Sequence, residues 1–426
     1  MKFAYCNGIL LDGSKDMVAQ EGKIVLTCGD KIERIVDAGT DLTGYEMVDL
    51  AGQYLMPGMV NLHVHLPATG KPKKKETDAK KLVKLITSNG IFKRVGEKIC
   101  ESSAQTQLMS GVTTIRTMGG VLNFDSKLRD KIDAGKLLGP RILAGNMAVS
   151  VPGGHMAGSL AYEARRISDA ADFTKEIAKD KPNVIKLMIT GGVLDAKKKG
   201  EPGEMKMPAE YVKAACDAAH ALGLPVAAHV ESPEGVRVAL SCGVDTIEHG
   251  AKPDEEIIRL FKERGAAHVA TISPALPFAL FDREISHATE MSQYNGQIVF
   301  EGIIDCAKKC LENDIPVGLG TDTGCPFITH YDMWREVYYF QKYCGVSNAF
   351  ALYTATKRNA QIGGIGDVTG SIEAGKCADM IVTKENPLEN LQALRHISMV
   401  VARGQLIRDP KVKKMPQVET ELDKFL

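Results

Sequence analysis

Between residues 58 and 365, short apolar runs alternate with longer helix-forming stretches, and this alternation is what most limits the fold. Eight runs have strand texture: MVNLHVH, VTTIRTM, RILAGNM, VIKLMIT, PVAAHV, VDTIEHG, AHVATIS and PVGLGTD. Amphipathic stretches such as PAEYVKAACDAAHALG and NAFALYTATKRNAQIGG accompany them, each ending at glycine as helices commonly do. Eight βα repeats predict an α/β fold, a (β/α)8 TIM barrel. An open Rossmann sheet is the competitor, but no GxGxxG follows the first strand and opens a helix. Residues 1–57 and 366–426 differ in texture: strands alternate with Gly and Asp turns, as in KIVLTCGDKIERIVD and ISMVVARGQLIRD. The predicted arrangement is a small β-sandwich formed from both termini, with the barrel at 58–365 inserted between them.

Composition narrows the function classes. Hydrophobic residues make up 44% and charged residues 25%, as in ordinary soluble globular proteins. The formal net charge is zero, so no bulk attraction to nucleic acid or to a membrane surface is expected. No apolar run reaches the length needed to cross a bilayer. The opening MKFAYCNGILLDGSKD breaks into Gly and Asp too early for a signal peptide, and ten cysteines fit a reducing compartment. A cytoplasmic location is therefore expected. Cys306 and Cys310 stand four apart in DCAKKCLEN with no second pair, and they are read as ordinary thiols.

His63 and His65 lie two apart on the first strand, so their imidazoles share a side and can grip one metal ion. Later strands end in further ligand types: Lys186 on the fourth, His229 on the fifth, His249 on the sixth and Asp322 on the eighth. Each alone has a plainer reading. A single buried histidine can be a hydrogen-bonded core residue, and TDTG is a good turn sequence for Asp322. Lys186, between Val184, Ile185, Leu187 and Met188, would be costly to bury charged and unpaired. It can snorkel or pair with a carboxylate. Alternatively its amine, with a pKa lowered by burial, reacts with carbon dioxide to give a carbamate that bridges two metals. His229 and His249, on adjacent strands, can hold the second ion. Asp322 beside two cations stays ionised and can ligate metal or carry protons.

The pattern PGMVNLHVH, Lys186, His229, His249 and GTD at 320–322, with the tail GSIEAGKCADMIV, resembles the amidohydrolase superfamily. More narrowly, GVTTIRTMGG, GPRILAGNMAVSVPGGH and IKLMITGGV resemble the Xaa-Pro dipeptidase and imidazolonepropionase-related group. The resemblance implies a binuclear site. His63 and His65 would hold one divalent ion, and His229 and His249 the other. Carboxylated Lys186 would bridge them, with Asp322 as ligand and proton shuttle. Zinc suits these donors best. Family precedent implies a homo-oligomer. Asn61, Thr117 and Glu231 depart from the usual pattern, where Asp, Asp and Tyr are common; the last two are expected near the substrate.

Three residues are candidate substrate contacts. His155 sits in the glycine-rich loop VPGGHMAGS. Arg116 could clamp a carboxylate or form an internal ion pair. Glu231 could hold a cationic group or pair with Arg116. The basic runs KPKKKETDAKK and DAKKKGEPGEMK could steer an anionic substrate or simply be solvated. The expected activity is metal-dependent hydrolysis of a peptide-like amide, in a dipeptide or N-acyl amino acid, by a metal-bridging hydroxide. The alternatives are a cyclic-amide hydrolase of imidazolonepropionase or hydantoinase type, and a non-catalytic barrel scaffold.

Overall fold

The computed structural model describes residues 1–72 and 78–426. The centre of the first basic run, at 73–77, lies outside the described residues.

All eight expected strands form: β1 (Met59–Val64), β2 (Val112–Thr117), β3 (Arg141–Leu143), β4 (Ile185–Met188), β5 (Val226–Val230), β6 (Thr246–His249), β7 (Ala267–Ala270) and β8 (Val317–Leu319). They run parallel, with β1, β2 and β3 in one arc and β4 to β8 in a second. Apart from Arg141, every residue on these strands is buried. Helices cover the outside while side chains fill the inside, which explains the near-continuous apolar runs. Helix boundaries follow local chemistry. Glu255–Arg264, for example, opens where the Asp254 carboxylate accepts the Ile257 N–H and closes at left-handed Gly265.

Closing the barrel joins β8 to β1, where the strands are too short for a full ladder. The Asp322 N–H donates to the His63 carbonyl at 2.8 Å. Asn61 accepts from the Thr321 N–H at 3.1 Å and donates to its hydroxyl at 2.8 Å. Asn359 supplies the rest: Nδ2 donates to the Val60 carbonyl at 2.6 Å and the Leu319 carbonyl at 2.9 Å, and Oδ1 accepts the Leu319 N–H at 2.9 Å. Its helix departs from the sequence expectation. NAFALYTATKRNAQI is not one regular helix but Asn348–Tyr353 and Asn359–Ile362 around a π-helical turn, Thr354–Arg358. The wider turn carries Asn359 to backbone groups that would otherwise be buried without partners.

The terminal segments form two sheets. Lys2–Cys6, Lys23–Cys28, Lys31–Asp37 and Glu46–Asp49 make one. Ile9–Leu10, Tyr54–Pro57, Met380–Thr383, Ile397–Ala402 and Gln405–Arg408 make the other, so both ends of the chain share it. Phe3, Tyr5, Val25, Leu55, Met380 and Val401 pack between the sheets in one core. Among the described residues no helix is long and apolar enough to cross a membrane.

The closure makes Asn359→Ala informative. Orphaning its three backbone partners should cost about 1–3 kcal/mol or more. Urea unfolding should show a lower midpoint with little change in slope; an unchanged midpoint would remove Asn359 from barrel closure.

Candidate active site

Strand periodicity puts His63 and His65 on one side of β1, with ring centroids 5.3 Å apart. Their Nε2 atoms both face Asp322 Oδ1, at 3.4 and 3.1 Å. The opposite ring nitrogens are anchored: His63 Nδ1 on Glu248 Oε2 at 2.8 Å and His65 Nδ1 on the Gly119 carbonyl at 2.8 Å. Those acceptors place a proton on each Nδ1 and leave each Nε2 lone pair for a ligand, as metal-binding histidines require. Gly320 permits the approach of β8. A Cβ there would lie 2.4 Å from the His63 Cβ, so only glycine fits in GLGTD.

His249 and His229 continue the ring, with His63–His249 and His249–His229 centroids 4.9 and 4.6 Å apart. His249 Nδ1 is 2.7 Å from the Thr271 hydroxyl. His249 (φ 67) and Asp322 (φ 50) are both left-handed without being glycine, a strained backbone typical of functional sites. The strain has a geometric purpose at His249. Thr246 and Glu248 share one side of β6 by alternation, and the reversed φ turns the next residue back toward the other histidines. His155 stacks on His229 at 4.1 Å and 6°, steadied by Asp195 at 2.5 Å. Asp195 also accepts the Gly192 N–H at 2.9 Å.

The electrostatics favour metal ligation. Burial pushes the His63 and His229 imidazoles well below their ordinary range, and His249 to about 3, so all three stay neutral near pH 7. Burial alone would raise Asp322, but His63, His65 and His249 outweigh it and hold the carboxyl well below the usual range. Burial lowers the Lys186 amine to about 8, against the opposing charges of Glu248 and Asp322. Its Nζ is 1% exposed as a residue and has no hydrogen-bond partner among the described residues. Glu231 Oε2 is likewise buried and unpartnered, and burial with Asp322 and Asp195 pushes its carboxyl well above the ordinary value. The Glu231 backbone is fixed by the Thr190 hydroxyl at 3.0 Å and by Gly203, whose hypothetical Cβ would lie 2.3 Å from the Glu231 carbonyl.

The donor atoms of His63, His249 and Asp322 lie within 4.8 Å of one another, as do those of His229, Glu231 and His249. Neutral imidazoles, an ionised carboxylate and an orphaned amine suit divalent metal ions. The histidines, Lys186 and Asp322 are thus gathered at one end of the barrel, with His155 and Glu231 beside them.

Arg116 is not. Its Nη2 donates to Glu248 Oε1 at 2.7 Å, Nη1 to Thr246 Oγ1 at 3.3 Å and Nε to the Leu62 carbonyl at 2.9 Å. It lines a cavity of about 320 Å³ with Pro225, Val226, Ala267 and Pro316, at the ends where strands begin. The expectation that Arg116 clamps a substrate carboxylate is therefore corrected: it is an internal ion-pair residue, and its partner is Glu248 rather than Glu231. Thr117, expected near the substrate, is also buried, accepting the Gly145 N–H at 2.8 Å. In the second basic run, Lys198, Lys199 and Lys206 pair with Glu201, Glu290 and Glu204, at 3.3, 2.7 and 2.5 Å. Sequence reasoning missed Glu248, Asp195 and Thr271. Only Glu248 left a signal, an acid inside the apolar run VDTIEHG.

The sequence profile described as the amidohydrolase family matches residues 54–407. The ochratoxinase of Aspergillus niger is 23% identical over 437 aligned residues, covering 95% of this chain and 86% of that enzyme. The crystal structure of a prolidase candidate from Bifidobacterium longum superposes with a TM-score of 0.87 at 34% identity, covering 99% of this chain and 98% of that one. A Xaa-Pro dipeptidase with methionine bound in its active site superposes with a TM-score of 0.84 at 29% identity, over 96% and 100% of the two chains. With its barrel, its strand-end histidines and a profile match spanning most of its length, this chain belongs to the amidohydrolase family.

Proposed function

We propose that this chain is a metal-dependent hydrolase of a peptide-like amide bond, in dipeptides or N-acyl amino acids, with Xaa-Pro dipeptides the first candidates. The observation that carries the reading is the unpartnered Lys186 amine, buried with an ionised Asp322 and three neutral imidazoles. Likeness to a Xaa-Pro dipeptidase at 29% identity and to a prolidase candidate at 34% supports the substrate class. His63 and His65 would hold one divalent ion and His229 and His249 a second, with Lys186 and Asp322 completing the set. Zinc is the best match to these donors. When bound, such ions supply hydroxide near neutral pH and polarise a carbonyl.

The remaining chemistry belongs to the chain. Lys186 Nζ, as the free amine, forms a bond to carbon dioxide and releases one proton, which turns an orphaned donor into an anionic ligand. Asp322, ionised and left-handed at the end of β8, accepts a proton on its carboxylate and returns it to the leaving amide nitrogen. His155, with Nδ1 committed to Asp195, makes no other side-chain hydrogen bond among the described residues and can offer Nε2 to a substrate oxygen. Glu231 Oε2 offers a polar contact to the substrate's amino end. A cation there would give that carboxylate the partner it lacks.

Asp322→Asn should keep most of its metal and lose about 10²–10⁴-fold in kcat; full activity with metal retained would remove Asp322 from proton transfer. Reconstitution of metal-free protein should need bicarbonate. At a fixed concentration of dissolved carbon dioxide, its rate should rise with pH toward about 8 and then level, because only the free Lys186 amine takes up carbon dioxide. Equal recovery in carbon-dioxide-free buffer would rule out the carbamate. A panel of linear dipeptides, N-acyl amino acids and cyclic imides tests the substrate class. Preference for the imides would overturn the linear-amide reading. For dipeptides, Glu231→Gln should raise KM more than it lowers kcat.

A further inference from the structure

Beside the histidine ring lies a second cluster of ligand-type residues. His268 is on β7, and Cys306 and Cys310 are one turn apart on the helix Glu290–Glu312. Residues i and i+4 share a helix face, so both thiols point the same way. All three residues are fully buried, and their ligand atoms lie within 4.8 Å of one another. Neither cysteine is in a disulfide.

The imidazole fixes the chemistry. His268 Nε2 is 2.7 Å from the His249 carbonyl oxygen. A carbonyl only accepts, so the ring proton sits on Nε2 and Nδ1 keeps a bare lone pair. Nδ1 is buried and accepts no hydrogen bond of good geometry among the described residues, while the Cys306 thiol lies against the ring. A buried acceptor left this way calls for an explanation, and a bound cation provides one. The cluster also presses on the strained end of β6. A Cβ on Gly250 (φ 82) would lie 2.9 Å from His268 Nε2 and 3.1 Å from Cys306 Sγ.

We propose that His268, Cys306 and Cys310 form a separate metal site for a thiophilic d10 cation, zinc(II) or copper(I), placed behind His249. Binding forms one bond from Nδ1 and one from each sulfur. The two thiol protons leave to solvent, and no electrons are transferred. Two sulfurs select soft cations, whereas the histidine, carboxylate and lysine donors at the barrel mouth contain none. An ion on Nδ1 locks the tautomer that donates from Nε2 to His249, and so braces the left-handed residue that carries a candidate active-site ligand.

The test uses the full chain carrying Cys325→Ser, because the Cys325 thiol lies 4.0 Å from Asp322 Oδ2 and could report on the mouth. Zinc-edge X-ray absorption of the zinc-loaded protein should show sulfur scatterers at about 2.3 Å beside the nitrogen and oxygen shell. A shell of nitrogen and oxygen alone would overturn the site. In the same background, cadmium titration should give a thiolate-to-cadmium ultraviolet band and one more bound ion than Cys306→Ser/Cys310→Ser takes up. A band and count that survive the double substitution would equally overturn it. The absorption experiment leaves both cysteines in place, so it decides the question even where the double variant fails to fold.

Discussion

A single buried carboxylate, Glu248, ties the barrel's interior to its chemistry. Oε1 takes the Arg116 guanidinium and the Thr246 hydroxyl, and Oε2 takes His63 Nδ1. Removing one partner of a buried ion pair typically costs about 3–5 kcal/mol, because the other charge is stranded. Here the pair does more than hold. By accepting at Nδ1 it decides which His63 nitrogen faces Asp322, so the ligand geometry at the mouth depends on an arginine whose own hydrogen bonds go to Leu62, Thr246 and Glu248. Glu248 also opposes the loss of charge on Lys186. The same carboxylate therefore influences both a candidate ligand's tautomer and a candidate ligand's protonation.

The barrel was legible because its strands are buried on both faces and so read as apolar runs. The histidine fork at 63 and 65 was legible because a strand repeats every two residues, and Lys186 because a lysine among aliphatics needs a reason. What stayed hidden depends on partners distant in sequence. Nothing around Arg116 indicates whether it meets a substrate or Glu248. Alternation places Glu248 and His249 on opposite sides of β6, and only the left-handed backbone at His249 undoes that. The π-helical turn before Asn359 is invisible in an amphipathic pattern that continues through it. Cys306 and Cys310 lacked a recognisable companion because His268 stands on the strand that precedes their helix, far outside any short ligand spacing.

The division of labour follows the barrel's polarity. The cavity that Arg116 lines with Pro225, Val226, Ala267 and Pro316 lies toward the strand beginnings, while strand ends and the loops after them carry His155, Asp195, Glu231 and the candidate ligands. This separation lets loops change while the scaffold stays intact. It also explains why the departures from the family pattern fall out differently. Asn61 and Thr117 serve closure and packing through Thr321 and Gly145, whereas Glu231 sits among the candidate metal ligands.

Gly203 controls this last position from outside. It belongs to the loop after β4, yet its missing side chain leaves room for the Glu231 carbonyl in the loop after β5. Any larger residue at 203 would force the two loops apart and carry the Glu231 carboxylate away from the histidines. The width of the mouth is thus set by an absent methyl group on a neighbouring loop. Selection for a different substrate could act there, altering which molecules fit while leaving every side chain that touches them unchanged.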